Sequence, residues 1–211
     1  MATCNAHVAP YNPSEYVTTA GSQNKVSRKA TILGSSNIVL GGKCIIQHGV
    51  IIRGDLKRPV PPPPPAEQAK MSAAQLAQHQ KGGVVISAGR YCIFGEGCVI
   101  RPPYRTLKGV FSYYTLKLGD HVRIGPGSVV QAGVIGSNVD IGKDCIIGRM
   151  SMIRDCVQIL DGTVLAPGTV VPPLTIWGGS PGQQVGELPE TYPETSTNRA
   201  KEYYNKFKPA S

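Results

Sequence analysis

Aliphatic residues recur every six positions along the second half of the chain. Hexads that begin at Leu118, Ile124, Val130, Ile135, Ile141, Ile147, Ile153, Ile159, Leu165 and Val171 all open on Ile, Leu or Val. Their fifth positions, among them Val122, Ser128, Val134, Cys145, Val157 and Thr175, are small or β-branched, and one step, Val130 to Ile135, is a residue short. If roughly one residue in four is Ile, Leu or Val, ten hits in a row arise by chance on the order of once in a million trials. Six is an even number, so first and fifth positions share one face of an extended segment, whereas a helical stripe needs spacings near 3.6. Each hexad is therefore one short strand and one bend, with glycine often at the second position (Gly119, Gly125, Gly136, Gly142, Gly148) where a Cβ would obstruct the corner. Such a unit cannot bury its apolar face alone. Coils stacked on one another can, and the pattern predicts an all-β solenoid, a parallel β-helix of hexapeptide repeats with three hexads to a turn.

The same frame reads backwards less regularly, at Gly34, Leu40, Ile46 and Ile52 and again at Gly82, Ala88, Phe94 and Ile100. This divides the chain into an arm or cap over residues 1–33, a β-helix over 34–176, and a tail over 177–211. Two stretches break the repeat. Residues 57–83 carry Pro59, Pro61–Pro65 and an Ala/Gln-rich run, which cannot sit in a paired strand and is predicted to be a mobile surface insertion. Residues 101–117 keep little aliphatic pattern and predict a distorted or looped-out coil, with Val110 and Leu116 as surviving fifth positions. In the tail, Ala200, Tyr203, Tyr204 and Phe207 are spaced i, i+3, i+4, i+7, which predicts a C-terminal α-helix packed on the side of the solenoid.

Composition narrows the function. Only three Phe and one Trp occur among 211 residues, so the core is aliphatic. Of six cysteines, Cys44, Cys92, Cys98 and Cys145 fall on fifth positions, where small buried side chains belong, and no Cys-x-x-Cys pair or zinc-spaced Cys/His set is present. A formal charge of +9 favours acidic partners. The basic residues are scattered without a nucleic-acid module, so no nucleic-acid binding is expected. Neither a signal peptide nor a run long enough for a membrane span is legible, which predicts a cytoplasmic protein with no membrane insertion.

Hexapeptide solenoids are often enzymes, and the pattern resembles first the acyltransferases and γ-class carbonic anhydrases, whose coils are left-handed and whose histidines lie between subunits of a trimer. From that resemblance comes the expectation of a left-handed coil and, as the alternative function, a γ-anhydrase-like or acyltransferase-like enzyme. The residues argue against it. Ile52-Arg53-Gly54-Asp55 matches part of the anhydrase motif, but one coil later the chain reads RYCIFGEGCVIRP, without histidine. Only His7, His48, His79 and His121 occur in the whole chain, and fewer than three ligands make a weak zinc site. Arg53 and Asp55 are read as a structural ion pair or corner cap, and His121, beside Asp120, as an outward-facing surface residue. No catalytic residue, cofactor or metal is expected.

Several stretches outside the repeat resemble the dynactin subunit 5 family: YNPSEYV, NKVSRKATILGSSNIVLGGK, IIRGDL, VIRPPYR, LGDHVRIG, IGRMSMIRDCVQILDGTVLAPGTVVPP, GELPE and YYNKF. The stretch at 57–83 departs from that family, which has a short link there. The resemblance implies a non-catalytic scaffold in the pointed-end complex of dynactin. Its implied partners are dynactin subunit 6, dynactin subunit 4, the pointed-end actin-related protein and the cargo adaptors of dynein. The implied role is cytoskeletal, supporting microtubule-based transport of membrane cargo such as early endosomes. Independently of the resemblance, Tyr104, Phe111, Tyr113 and Tyr114 stand among Arg101, Arg105 and Lys108 in a chain poor in aromatics. Aromatic and arginine side chains mark contact surfaces, so Tyr104, Arg105, Phe111, Tyr113 and Tyr114 are the expected protein-contact residues.

Overall fold

The computed structural model describes residues 10–58, 83–107 and 109–210. Most of the expected insertion, along with Cys4, His7, His79 and Lys108, lies outside them. The hexads form three parallel ladders wrapped around one interior: a nine-stranded sheet, whose outermost strand at each end is antiparallel, and two six-stranded sheets. Each turn contributes one strand to each sheet. In the fifth coil these are Asp140–Ile141, Ile146–Ile147 and Met152–Ile153. Ile146 then pairs with Val164 and Met152 with Val170, eighteen residues on, so three hexads do make a turn.

All ten first-position residues from Leu118 to Val171 are buried, as are Cys44, Cys92, Cys98 and Cys145 at fifth positions. Full burial of one such aliphatic side chain is worth about 1.5–3 kcal/mol. The shortened hexad is the exception to the frame. Val134 is 39% exposed rather than inward, and Ala132 fills the interior in its place, because dropping one residue reverses the alternation along that segment. Glycines close the corners by contact between coils: a Cβ on Gly125 would sit 2.4 Å from the carbonyl oxygen of Gly142.

The solenoid begins earlier than its hexads. Lys25–Ser27 and Thr31–Leu33 already pair in parallel with the second coil, inside the segment expected as an arm. The arm proper, Tyr16–Thr18, runs antiparallel to Lys25–Ser27 and covers the edge of the nine-stranded sheet. Residues 101–117 form no coil. Ile100 and Leu118 lie on adjacent faces of one turn, and between them Tyr104–Leu107 and Val110–Tyr113 make an antiparallel hairpin. Leu116 rejoins the interior, fully buried against Ile86, whereas Val110 is 63% exposed on the hairpin and belongs to no ladder.

The tail folds back as a helix, Tyr192–Lys206, with Pro193 in its first turn, where the missing N–H is unneeded. It lies along the nine-stranded sheet from the fifth coil to the first. Thr197 donates to Asn138 at 3.0 Å near its start, Gln47 donates to the Tyr203 hydroxyl at 2.8 Å, and Tyr204 donates to the Gln23 carbonyl at 2.7 Å near its end. Lys25, only 8% exposed, donates to the Tyr204 carbonyl at 2.8 Å and to that of Phe207. Its ammonium also sits 3.9 Å from the Tyr204 ring centre. A cation placed on the carbonyl end of a helix is favoured by the helix dipole, and here it fixes the first coil to the last turn of the helix.

Candidate partner-contact surface

The hairpin register decides which expected contact residues meet. Tyr104 is opposite Tyr113 and Thr106 opposite Phe111, so Tyr104, Phe111 and Tyr113 share one side. Their ring centres lie 5.2 Å (Tyr104–Phe111), 4.9 Å (Phe111–Tyr113) and 6.3 Å (Tyr104–Tyr113) apart, the last two pairs edge to face. Arg149, from the fifth coil, places its guanidinium 4.9 Å from the Tyr104 ring centre. Sequence reasoning had no route to Arg149, which stands far from the hairpin along the chain.

Arg105 is paired with Ser112 on the opposite side of the hairpin, with Leu107 and Val110, and is exposed. Tyr114 also leaves the ring cluster. Its N–H donates to the Pro103 carbonyl at 2.8 Å, and it lines a shallow depression with Leu56, Lys57, Arg58 and Val84. The five expected residues thus divide into a cluster of three rings, a solvent-facing cation and a tyrosine at the hairpin's foot. Phe111 keeps 44% of its surface exposed within this cluster.

Arg53 and Asp55 form the expected ion pair, with Nε to Oδ1 at 2.8 Å and a second bond to Oδ2 at 2.9 Å. The arginine holds the Asp55 carboxyl below its ordinary range. Among the described residues, no three His, Cys, Asp or Glu side chains gather as a metal-binding set.

His121 does not face open solvent as expected. It stacks on Tyr91 at 5.6 Å and lines a crevice under the C-terminal helix with Arg123, Asp140, Arg199 and Tyr203. Burial pushes its pKa down, opposed by the charge of Asp120 and aided to a smaller degree by Lys201. Asp120 itself accepts from the Arg90 N–H at 2.7 Å through Oδ1 and caps the neighbouring corner. Asp140 is pushed above its ordinary range by burial, despite Arg199 at 3.3 Å and Arg123 at 3.6 Å. The crevice measures about 70 Å³, whereas pockets for small molecules run to roughly 300–1,000 Å³. It is a packing seam between helix and sheet.

A second arrangement imitates a catalytic relay and was not anticipated. The Ser27 hydroxyl lies 2.7 Å from His48 Nδ1, and His48 Nε2 lies 3.5 Å from Glu15. Yet Ser27 is 2% exposed and already accepts from the Lys29 N–H at 3.1 Å. A hydroxyl so enclosed cannot reach a carbonyl carbon, and the trio instead ties the arm to the first two coils.

Comparison with known proteins shows the fold and the family. The solved structure of a hexapeptide transferase family protein from Anaplasma phagocytophilum superposes with a TM-score of 0.55 at 18% identity, covering 91% of this chain and 96% of that one. PerB from Caulobacter crescentus, solved in complex with CoA and GDP-perosamine, gives 0.50 at 15% identity, covering 77% and 57%. These likenesses establish the left-handed β-helix and carry no activity across. In sequence, the profile of dynactin subunit 5 matches residues 79–211. The dynactin subunit 5 of Dictyostelium discoideum is 37% identical over 199 residues, spanning 94% of this chain and 86% of that protein. The chain belongs to the dynactin subunit 5 family.

Proposed function

We propose that the chain is a non-catalytic scaffold of the dynactin pointed-end complex that presents its aromatic hairpin to a neighbouring subunit or to a cargo adaptor of dynein. The neighbours in this reading are dynactin subunit 6, dynactin subunit 4 and the pointed-end actin-related protein. The setting is the cytoplasmic cytoskeleton, and the role is to support microtubule-based transport of membrane cargo such as early endosomes. Among the described residues, no helix is long and apolar enough to cross a membrane.

The observation that carries the contact reading is the ring cluster. Tyr104, Phe111 and Tyr113 pack on one another and on Arg149, above a corner of the solenoid rather than within its core, and Phe111 remains 44% exposed. Rigid aromatics held in advance lose little entropy on binding, and one or two at the centre of an interface can be worth about 2 kcal/mol or more.

The test is the double substitution Phe111→Ser and Tyr113→Ser. The expected outcome is loss of co-purification with subunits 6 and 4 and with an adaptor, while the melting temperature of the isolated chain stays within about 2 °C, since exposed residues seldom shift stability by more than about 0.5 kcal/mol. Association that survives, or a chain that unfolds, would remove the contact role. The enzyme reading has fold likeness behind it and, among the described residues, no assembled catalytic set; turnover of an acyl-CoA by the purified chain would restore it.

A further inference from the structure

A second surface is formed by side chains that no single stretch of sequence reveals. On the sheet that carries Ile51–Arg53, Val99–Ile100, Val129–Val130, Ile146–Ile147 and Val164–Leu165, each strand opens on two apolar residues, of which the second points inward and the first points out. Register places Ile51, Val99, Val129, Ile146 and Val164 directly above one another. Ile146 is 50% exposed and the other four are half-buried. Adjacent strands lie about 4.8 Å apart, so this outward ladder of β-branched side chains is about 19 Å long.

One rim of the ladder carries arginines, of which Arg53 is neutralised by Asp55 and Arg101 and Arg149 supply the positive charge. Arg53 and Arg101 follow it on the second and third coils, and Arg149 lies beyond it on the fifth, beneath Tyr104. Arg101 lies against the Gln131 side-chain amide, whose oxygen accepts from the guanidinium once the amide is turned to face it. Among the described residues neither Arg101 nor Arg149 has a carboxylate within 4.0 Å. The ring cluster stands over this same corner and walls the ladder on that side. The opposite rim carries Glu96, Asp144 and Asp161, with one cation among them, Lys143, at 3.9 Å from Asp161.

The molecule already displays what fits such a face. Its own helix, 15 residues long, lies along the neighbouring sheet over Ile45 and Ile93, which it buries to 0% and 5% exposure. A helix of that length extends about 22 Å, close to the length of the ladder. We propose that the ladder is a docking groove for an amphipathic helix of a partner protein, with aliphatic residues along the face that meets Ile51 to Val164 and acidic residues along the flank that meets Arg101 and Arg149. Charge fixes which way round the helix lies, because the reversed orientation would set its acidic flank against Glu96 and Asp144. This goes beyond the hairpin contact and does not depend on which subunit the hairpin meets.

The test uses the full chain and two fluorescein-labelled synthetic helices of 18 residues, alike in their leucine face but carrying glutamate or lysine along one flank. Fluorescence anisotropy should show the glutamate peptide binding at least about tenfold more tightly than the lysine peptide, with the preference fading at high salt. Val129→Lys with Ile146→Lys should weaken it more than about tenfold at unchanged melting temperature, while Val134→Lys with Val170→Lys, on the third sheet, should leave it intact. Equal binding of the two peptides, or equal loss from both pairs of substitutions, would overturn the proposal. So would light scattering in which the chain self-associates and Val129→Lys with Ile146→Lys makes it monomeric, because the occupant would then be a second copy. No dynactin subunit enters this assay, so its failure and a failure of the pointed-end reading are separate results.

Discussion

Ile147→Asp is expected to unfold the whole solenoid, while Ile146→Asp, one residue away, is expected to leave it folded. Ile147 is 1% exposed and stacked between Val130 and Leu165 in the interior. Loss of the aliphatic side chain alone costs about 2–5 kcal/mol, and an unpaired buried charge adds several more. The sum is comparable to the roughly 5–15 kcal/mol that separates folded from unfolded in a domain. Ile146 points the other way and is half exposed, so its replacement costs about 1 kcal/mol or less. Circular dichroism melts of the two variants decide the matter. Equal behaviour would mean that the inward and outward faces have been assigned wrongly.

The second large effect is expected at a corner rather than in the core. A Cβ on Gly125 would meet the backbone of Gly142 and Lys143 at 2.4–2.6 Å, and backbone cannot swing aside as a side chain can. Gly125→Ala should therefore cost about 3 kcal/mol as the next coil is pushed out of register. For a chain of this size that lowers the melting temperature by roughly 6–12 °C. Gly97 is the control. Its φ of +66° strains any other residue, but open space surrounds its missing Cβ, so Gly97→Ala should cost only about 1 kcal/mol. A melt in which Gly97→Ala is the more damaging would show that corner conformation, not coil-to-coil approach, limits these positions.

These contrasts also explain what could be read from the chain beforehand. The ladder from Leu118 to Val171 was legible because one physical demand, a buried aliphatic on one face, repeats at a constant interval. The first coil was not, because Lys25 occupies an outward position whose burial depends on a helix that arrives some 180 residues later, and its neighbours Val26 and Ile32 are too few to establish a period. Val134 was misplaced by the single short hexad, which reverses inside and outside. The rings of the contact surface stood out by composition, but their grouping follows from hairpin pairing, which separates Arg105 from Tyr104 and sends Tyr114 to the foot. Arg149 and the outward ladder were invisible for a related reason: register alone joins them, and the long segments between coils two, three and four conceal the interval from Ile51 to Val99 and from Val99 to Val129.

A stack of coils is ordinarily open at both ends and can unravel from either, one turn at a time. Here Lys25 grips the last turn of the C-terminal helix, Tyr11 exchanges hydrogen bonds with Lys208 and Ala210 at 2.9 and 2.8 Å, and the helix start is bonded to the fifth coil. The contacts therefore close into a loop: first coil to helix, helix to fifth coil, and fifth coil back through the stack. Peeling away the first coil requires breaking that loop as well as the ladder bonds to the second coil. Mechanical load applied along the stack would be borne in parallel by the ladders and the strap.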